Sequence, residues 1–66
     1  MQIFLNGHTL ALQDSISLQQ LLEQQGYAQR RVAVEVNRSI VPKSRHPEHM
    51  LEDGDKVEIV HALGGG

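Results

Sequence analysis

The sequence contains no cysteine, which excludes a disulfide framework, a thiolate metal site and a cysteine nucleophile. It has no apolar run near the ~18–20 residues needed to span a membrane, and its first residues lack the basic and apolar regions of a secretory signal. The formal net charge is −2 with both signs interspersed, and no stripe of lysine or arginine indicates nucleic-acid binding. We therefore expect a cytoplasmic protein that binds neither a membrane nor nucleic acid.

The chain is also short, at 66 residues. A domain of this size buries only ~60% of the surface that its unfolded chain would expose, so a hydrophobic core leaves no room for an enclosed active-site cavity. We therefore expect a single small domain that is monomeric when free and that acts as a partner or substrate of enzymes, not as an enzyme itself.

Alternation and turn residues predict a hairpin followed by one helix in the first half of the chain. Residues 2–12 alternate around Asn6-Gly7, the preferred dipeptide of a type I′ turn. Ser17 and Gln20 have the spacing of a capping box, and Gly26 is placed to end the helix. Three leucines at i, i+3 and i+4 give this helix a single apolar stripe.

In the second half the apolar period changes from that of a helix to that of strands. The predicted strands cover residues 31–37, 40–41 and 56–61. Between the last two strands, residues 43–55 have the composition of a structured loop. We expect Met50 and Leu51 to tie that loop to the core.

The predicted order is β-β-α-β-β-β, and one helix can cover only one face of a mixed sheet, so the pattern indicates a two-layer α+β domain. If the last strand pairs in parallel beside the first, it lies centrally and directs its C-terminal end out of the sheet. That arrangement is the ubiquitin-like β-grasp. We predict that residues 1–61 form this domain and that residues 62–66 form a flexible C-terminal tail.

The predicted tail is Ala62-Leu63-Gly64-Gly65-Gly66. Glycine destabilises helices and strands through its backbone entropy, and five extended residues reach at most ~17 Å. A thin tether of that length can pass through a channel too narrow for any Cβ and deliver a terminal carboxylate to another protein's active site. The alternative is a frayed terminus without a function.

A docking surface is predicted near the base of the tail. On the alternating pattern Phe4, Ala33 and Val60 face away from the helix-covered side of the sheet, on neighbouring strands. The alternative is that these are single exposed apolar residues, which are normal on protein surfaces.

The remaining polar motifs predict local structure. His46 and His49 have the spacing of ligands on one helical turn, but without a third ligand we predict no metal site. The acidic residues of segment 52–55 are too few for calcium and form the turn before the last strand. The N-x-S motif at residues 37–39 is interpreted as a turn, since a glycosylation acceptor requires secretion.

Two segments resemble a known family. Residues 57–66, with the sequence VEIVHALGGG, follow Asp53-Gly54-Asp55 and closely resemble the C-terminus of the ThiS family, the sulfur carriers of thiamin biosynthesis. Residues 32–37, VAVEVN, followed by IVP at residues 40–42, are similar to the central segment of that family. Lys43 departs from the arginine expected after the proline; it keeps the charge but would weaken a bidentate contact.

The resemblance implies a mechanism centred on Gly66. A ThiF-like adenylyltransferase would use ATP and Mg²⁺ to adenylate the Gly66 carboxylate, and a persulfide donor protein would convert it to a thiocarboxylate. A ThiG-like thiazole synthase would then receive the sulfur. In this scheme Gly64 and Gly65 supply clearance, Leu63 is gripped at the channel mouth, and the carrier binds no cofactor itself.

Alternative functions share the same fold and tail. The small subunit of molybdopterin synthase is similar in fold and in ending with Gly-Gly, so a carrier for another sulfur-transfer pathway is one alternative. A ubiquitin-like modifier joined to lysines is a second. A β-grasp binding module with an idle tail is a third, for which deletion of Gly65 and Gly66 would change nothing.

Overall fold

The computed structural model describes residues 1–61, and residues 62–66, which make up the predicted tail, lie outside the described range. In chain order the elements are β1 (Gln2–Leu5), β2 (His8–Ala11), α1 (Leu18–Gln24), β3 (Val32–Val36), β4 (Ser39–Val41), a short 3₁₀ helix (Lys43–Arg45) and β5 (Lys56–His61). The predicted order of strands and helix is confirmed. The 3₁₀ turn lies within the segment that the sequence predicts as a loop.

The first hairpin closes as its turn residues require. Asn6 and Gly7 have φ angles of 48° and 83°, and two positive φ values are the requirement of a type I′ turn. A second turn, predicted at residues 37–39, has the same property, with φ of 53° at Asn37 and 71° at Arg38. These two turns determine which residues pair across β1–β2 and β3–β4.

Helix α1 is capped at both ends by the residues that the sequence indicated. Ser17 Oγ accepts a hydrogen bond from the Gln20 backbone N–H at 3.1 Å, and Gln20 Oε1 accepts one from the Ser17 N–H at 2.9 Å. At the other end Gly26 has a φ of 85°, and the N–H of Tyr27 donates to the Leu22 carbonyl at 2.7 Å. This is the Schellman arrangement, which satisfies carbonyls that the last turn leaves without partners.

The five strands form one mixed sheet in the order β2-β1-β5-β3-β4. The last strand, β5, lies in the centre, where it is parallel to β1 and antiparallel to β3. Helix α1 covers one face of this sheet, and its three leucines are buried there. The architecture is therefore the predicted ubiquitin-like β-grasp. No helix within residues 1–61 is long and apolar enough to cross a membrane.

The core lies between α1 and the inner face of the sheet. Its buried apolar residues are Ile3, Leu18, Leu21, Leu22, Val34, Val36, Val41, Leu51, Val57 and Ile59. Leu51 ties the long loop to this core as predicted, but the same prediction for Met50 is wrong, because its side chain is 51% exposed. Met50 forms an isolated β-bridge with Ser17, and consecutive side chains of an extended segment point in opposite directions. Burial of Leu51 therefore turns Met50 outward.

The turn before β5 is organised by the buried carboxylate of Asp55. Its Oδ1 accepts a hydrogen bond from Asn37 Nδ2 at 2.9 Å, and its Oδ2 accepts one from the Glu52 N–H at 2.8 Å. Asn37 Oδ1 in turn accepts from the Lys56 N–H at 2.9 Å. The predicted turn at residues 52–55 is confirmed, and it is joined to the β3–β4 turn through this network.

Candidate functional site: the end of the central strand and the open sheet face

The segment 62–66 begins at a fixed point of the fold. His61, the last residue of β5, is paired with Val32 on β3. Its imidazole ring also lies 6.3 Å from the ring of Tyr27, centroid to centroid, at an interplanar angle of 55°. Two contacts therefore fix the end of β5: the pairing of His61 with β3 and the ring contact of His61 with Tyr27.

β5 extends beyond the strand on its other side. The ladder with β1 ends at the pair Leu5–Val57, so the remaining residues of β5 have β3 as their only neighbouring strand among the described residues. The side chain of Asn6 extends this contact with β5 by two residues beyond Val57, since its Oδ1 accepts a hydrogen bond from the Ile59 N–H at 2.8 Å. Within the described range, the last residues of β5 are therefore paired with a strand on one side only, that of β3.

The predicted docking residues lie on the sheet face opposite α1, which we call the open face. Ala33 and Val60 are direct cross-strand partners. Phe4 is in register with Lys56, four residues before Val60, which corresponds to about 13 Å along the strand at the usual rise per residue. The structure brings Ala33 and Val60 together beside the exit and places Phe4 at the other end of the same face.

The open face also contains residues that the sequence analysis missed. Ile40 is 72% exposed and is the cross-strand partner of Glu35, which is also the partner of Glu58. Phe4 and Val60, 37% and 57% exposed, lie on the same face. The position of Ile40 could have been predicted from the sequence, because a two-residue turn centred on residues 37–38 fixes the pairing of Ile40 with Glu35.

A basic groove lies on the helix side of the exit. It has a volume of about 580 Å³, and its lining includes Tyr27, Arg30, Arg31, Val32, Lys43 and His46, together with one acidic residue, Glu23. The exit of β5 is therefore flanked by a groove with three basic side chains on one side and by the carboxylates of the open face on the other.

The interior of the described part has no evident ligand site. His46 is buried, and its Nε2 lies 3.0 Å from the Val41 carbonyl oxygen, so this nitrogen has a structural partner. Within residues 1–61 no group of three or more metal-ligating side chains is found, and no buried side-chain nitrogen or oxygen of that range lacks a hydrogen-bond partner. The features available for function are on the surface.

The residues predicted to carry the chemistry are not among those described. Leu63, Gly64, Gly65 and Gly66 all lie outside residues 1–61. Their roles remain predictions, as does the division of the chain into a domain and a tail. What the structure contributes is the position from which this segment departs.

Comparison with known proteins agrees with the fold. A family profile described as the ThiS family matches residues 3–66. The sulfur carrier protein ThiS of Escherichia coli (strain K12) is 30% identical over 66 residues, which is the full length of both chains. The crystal structure of the thiamine biosynthesis protein ThiS from Geobacter metallireducens has a TM-score of 0.87, with 29% identity and complete coverage of both chains.

A further relative is longer. The thiazole synthase of Paramagnetospirillum magneticum (strain ATCC 700264 / AMB-1) is 42% identical over 66 residues, and the chain spans only one fifth of its length, 20%. In that protein a segment similar to this chain is part of a larger polypeptide. The profile match, the full-length similarity to a sulfur carrier and the shared architecture lead to one conclusion: the chain belongs to the ThiS family.

Proposed function

We propose that this chain carries sulfur for the thiazole-forming step of thiamin biosynthesis, with the Gly66 carboxylate as the group that is converted to a thiocarboxylate. The observation that carries the proposal is the position of β5. It is the central strand of the sheet, its end is anchored at His61, and the sequence continues from there into Ala62-Leu63-Gly64-Gly65-Gly66. A rigid domain therefore presents a segment that ends in three residues without side chains.

Activation must convert a poor electrophile into a good one. A carboxylate oxygen of Gly66 attacks the α-phosphorus of ATP, and pyrophosphate leaves, which produces an acyl-adenylate. Mg²⁺ bound with the nucleotide would neutralise the phosphate charge in the activating enzyme. We expect that enzyme to be a ThiF-like adenylyltransferase, so ATP and Mg²⁺ are its ligands and not ligands of the carrier.

Sulfur enters in a second step. The terminal sulfur of a persulfide on a donor protein attacks the acyl carbon, and AMP leaves with the bonding electron pair. The resulting acyl disulfide is cleaved by a thiol reductant, which supplies two electrons and releases the thiocarboxylate. The chain has no cysteine, so no thiol of its own can intercept the activated acyl group.

The sulfur acceptor in this proposal is thiazole synthase. The similarity to a segment of a thiazole synthase supports this choice, as does the similarity to the Geobacter protein, whose name refers to thiamine biosynthesis. The open face, with Phe4, Ala33 and Val60, would bind the enzyme while Leu63 and the glycines enter its active site.

Intact-protein mass spectrometry tests the carrier function directly. The chain is incubated with a ThiF-like adenylyltransferase, Mg-ATP, a persulfide donor and a thiol reductant. The expected result is a mass increase equal to the replacement of one oxygen by sulfur, and the same chain without Gly66 should show none. An unchanged mass, under conditions in which a known ThiS is converted, would overturn the proposal. Isopeptide conjugates to lysine would support a ubiquitin-like modifier instead.

A further inference from the structure

We propose that the open face binds thiazole synthase through a basic side chain of that enzyme, seated between Glu35 and Glu58. This inference rests on the proposed function, because it specifies how the sulfur acceptor recognises the carrier. The inference is based on the charged and apolar side chains of the open face. These side chains lie on the side of the sheet opposite the core.

The two glutamates are direct neighbours. Glu35 on β3 and Glu58 on β5 are cross-strand partners, and the Cβ atoms of such partners are about 4.5–5.5 Å apart. Each alternates with buried valine or isoleucine neighbours along its strand, so both side chains leave the sheet on the open face. The two side chains therefore start from adjacent positions in the middle of this face.

No ion pair within residues 1–61 engages either glutamate. Neither carboxylate has a hydrogen bond or an ion pair with a described residue. Lys56 lies on the same face, two residues before Glu58 on β5, but no ion pair joins it to either glutamate. Like charges placed directly opposite on a sheet are destabilising. A cation from a partner would therefore meet two adjacent carboxylates that have no ion-pair partner among the described residues.

The surroundings suit a buried charge contact. Three large exposed apolar side chains of the described residues, Phe4, Ile40 and Val60, lie on the open face around the pair. When apolar contacts of this kind close against a partner they exclude water from the centre of the interface. Electrostatic attraction is stronger there than in water, so the central charge should determine which partner binds.

The charge also argues against a second copy of this chain as the occupant. Two open faces brought together would place four carboxylates in contact, which electrostatic complementarity opposes. Thiazole synthase is the favoured partner because a relative with that name contains a segment 42% identical to this chain. Within that relative the two parts share one polypeptide, which keeps them at high effective concentration.

Titration calorimetry with the thiazole synthase of the host organism tests the inference. The full chain is compared with the double variant Glu35→Gln, Glu58→Gln, and with the matched control Asp14→Asn, Glu48→Gln, which removes two exposed carboxylates elsewhere. Each titration is repeated from ~0.05 to ~0.5 M salt, a range over which screening of exposed charges changes strongly. Thermal unfolding of every variant and sedimentation of the free chain accompany the titrations.

The expected result is at least a tenfold loss of affinity in the double variant, with most of the salt dependence lost and the unfolding temperature unchanged or raised. The control should bind like the original chain. Equal binding by the double variant, or an equal loss in the control, would overturn the inference. So would a dimer of the free chain that the double variant abolishes, or failure of the original chain to bind. In that last case the mass experiment still decides independently whether the chain carries sulfur.

Discussion

The backbone N–H of Ile59 donates a hydrogen bond to Asn6 Oδ1 at 2.8 Å. Asn6 is a turn residue of the first hairpin, and its own N–H donates to the Val57 carbonyl at 2.9 Å. One residue therefore closes a local turn and also binds the central strand beyond the end of β1. The consequence is that Ile59, two residues before the end of β5, is held by a residue 53 positions away in sequence.

Replacement of Asn6 should separate these two roles. Asn6→Gly accommodates the φ of 48° but removes the side-chain hydrogen bond, and we expect it to lower the free energy of unfolding by about 1 kcal/mol. Asn6→Ala should lower it by a further ~1 kcal/mol, because alanine is strained at positive φ. Urea denaturation measures both. Equal stability of the two variants would contradict the assigned turn geometry.

Asp55 should be the most sensitive acidic residue for folding. Asp55→Ala leaves the Asn37 amide and the Glu52 N–H without their acceptor, and hydrogen bonds to charged groups contribute about 1.5–3 kcal/mol. Asp53→Ala is the comparison, since Asp53 accepts a single exposed hydrogen bond, from the Gln2 N–H. Its effect should be smaller than that of Asp55→Ala, because this single hydrogen bond is exposed to water. The prediction is wrong if denaturation curves rank the two variants in the opposite order.

The apolar residues of the open face should affect binding more than folding. We expect Phe4→Ala and Val60→Ala each to weaken binding to thiazole synthase several-fold, with a stability loss well below the ~3–5 kcal/mol of a buried phenylalanine. Met50→Ala is a matched control, because Met50 is similarly exposed but does not belong to the sheet. A large fall in unfolding temperature for Phe4→Ala would identify Phe4 as a core residue instead.

Removal of Gly66 should abolish activation and leave the domain as stable as before. The buried apolar residues of the described range form one core between α1 and the sheet, and we expect the thermal unfolding curve of the shortened chain to superimpose on that of the original. Leu21→Ala is the comparison variant. Because Leu21 is fully buried, we expect this substitution to lower the free energy of unfolding by about 2–5 kcal/mol. A comparable loss on removal of Gly66 would mean that the tail packs against the domain.

The local features of the fold were predictable because short-range chemistry determines them. The I′ turn at Asn6-Gly7 and the capping box of Ser17 and Gln20 each depend on a few adjacent residues, and the structure contains both. The distance between Phe4 and Val60 depends on how far β5 slides along β1. This is a pairing of strands from opposite ends of the chain, and no local motif encodes it.

The same limit explains what was missed at the candidate site. The apposition of Glu35 and Glu58 follows from a long-range register between β3 and β5, and alternation alone predicts only the face that each occupies. The prediction that the adjacent apolar residues Met50 and Leu51 both tie the loop to the core fails for Met50, which is exposed. Successive side chains of an extended segment point in opposite directions. The sequence shows that both residues are apolar, but it does not show which of them points toward the core.

The central position of β5 has a consequence for how the protein is made. The hairpins β1–β2 and β3–β4 are each local, and a two-stranded hairpin alone is only marginally stable in water. They become one sheet only when β5 enters between them, so a nascent chain on the ribosome cannot complete the domain until residue 61 has emerged. Products of interrupted synthesis would lack both the finished sheet and the glycines. The topology therefore makes completion of the sheet depend on the last strand to be synthesised among the described residues.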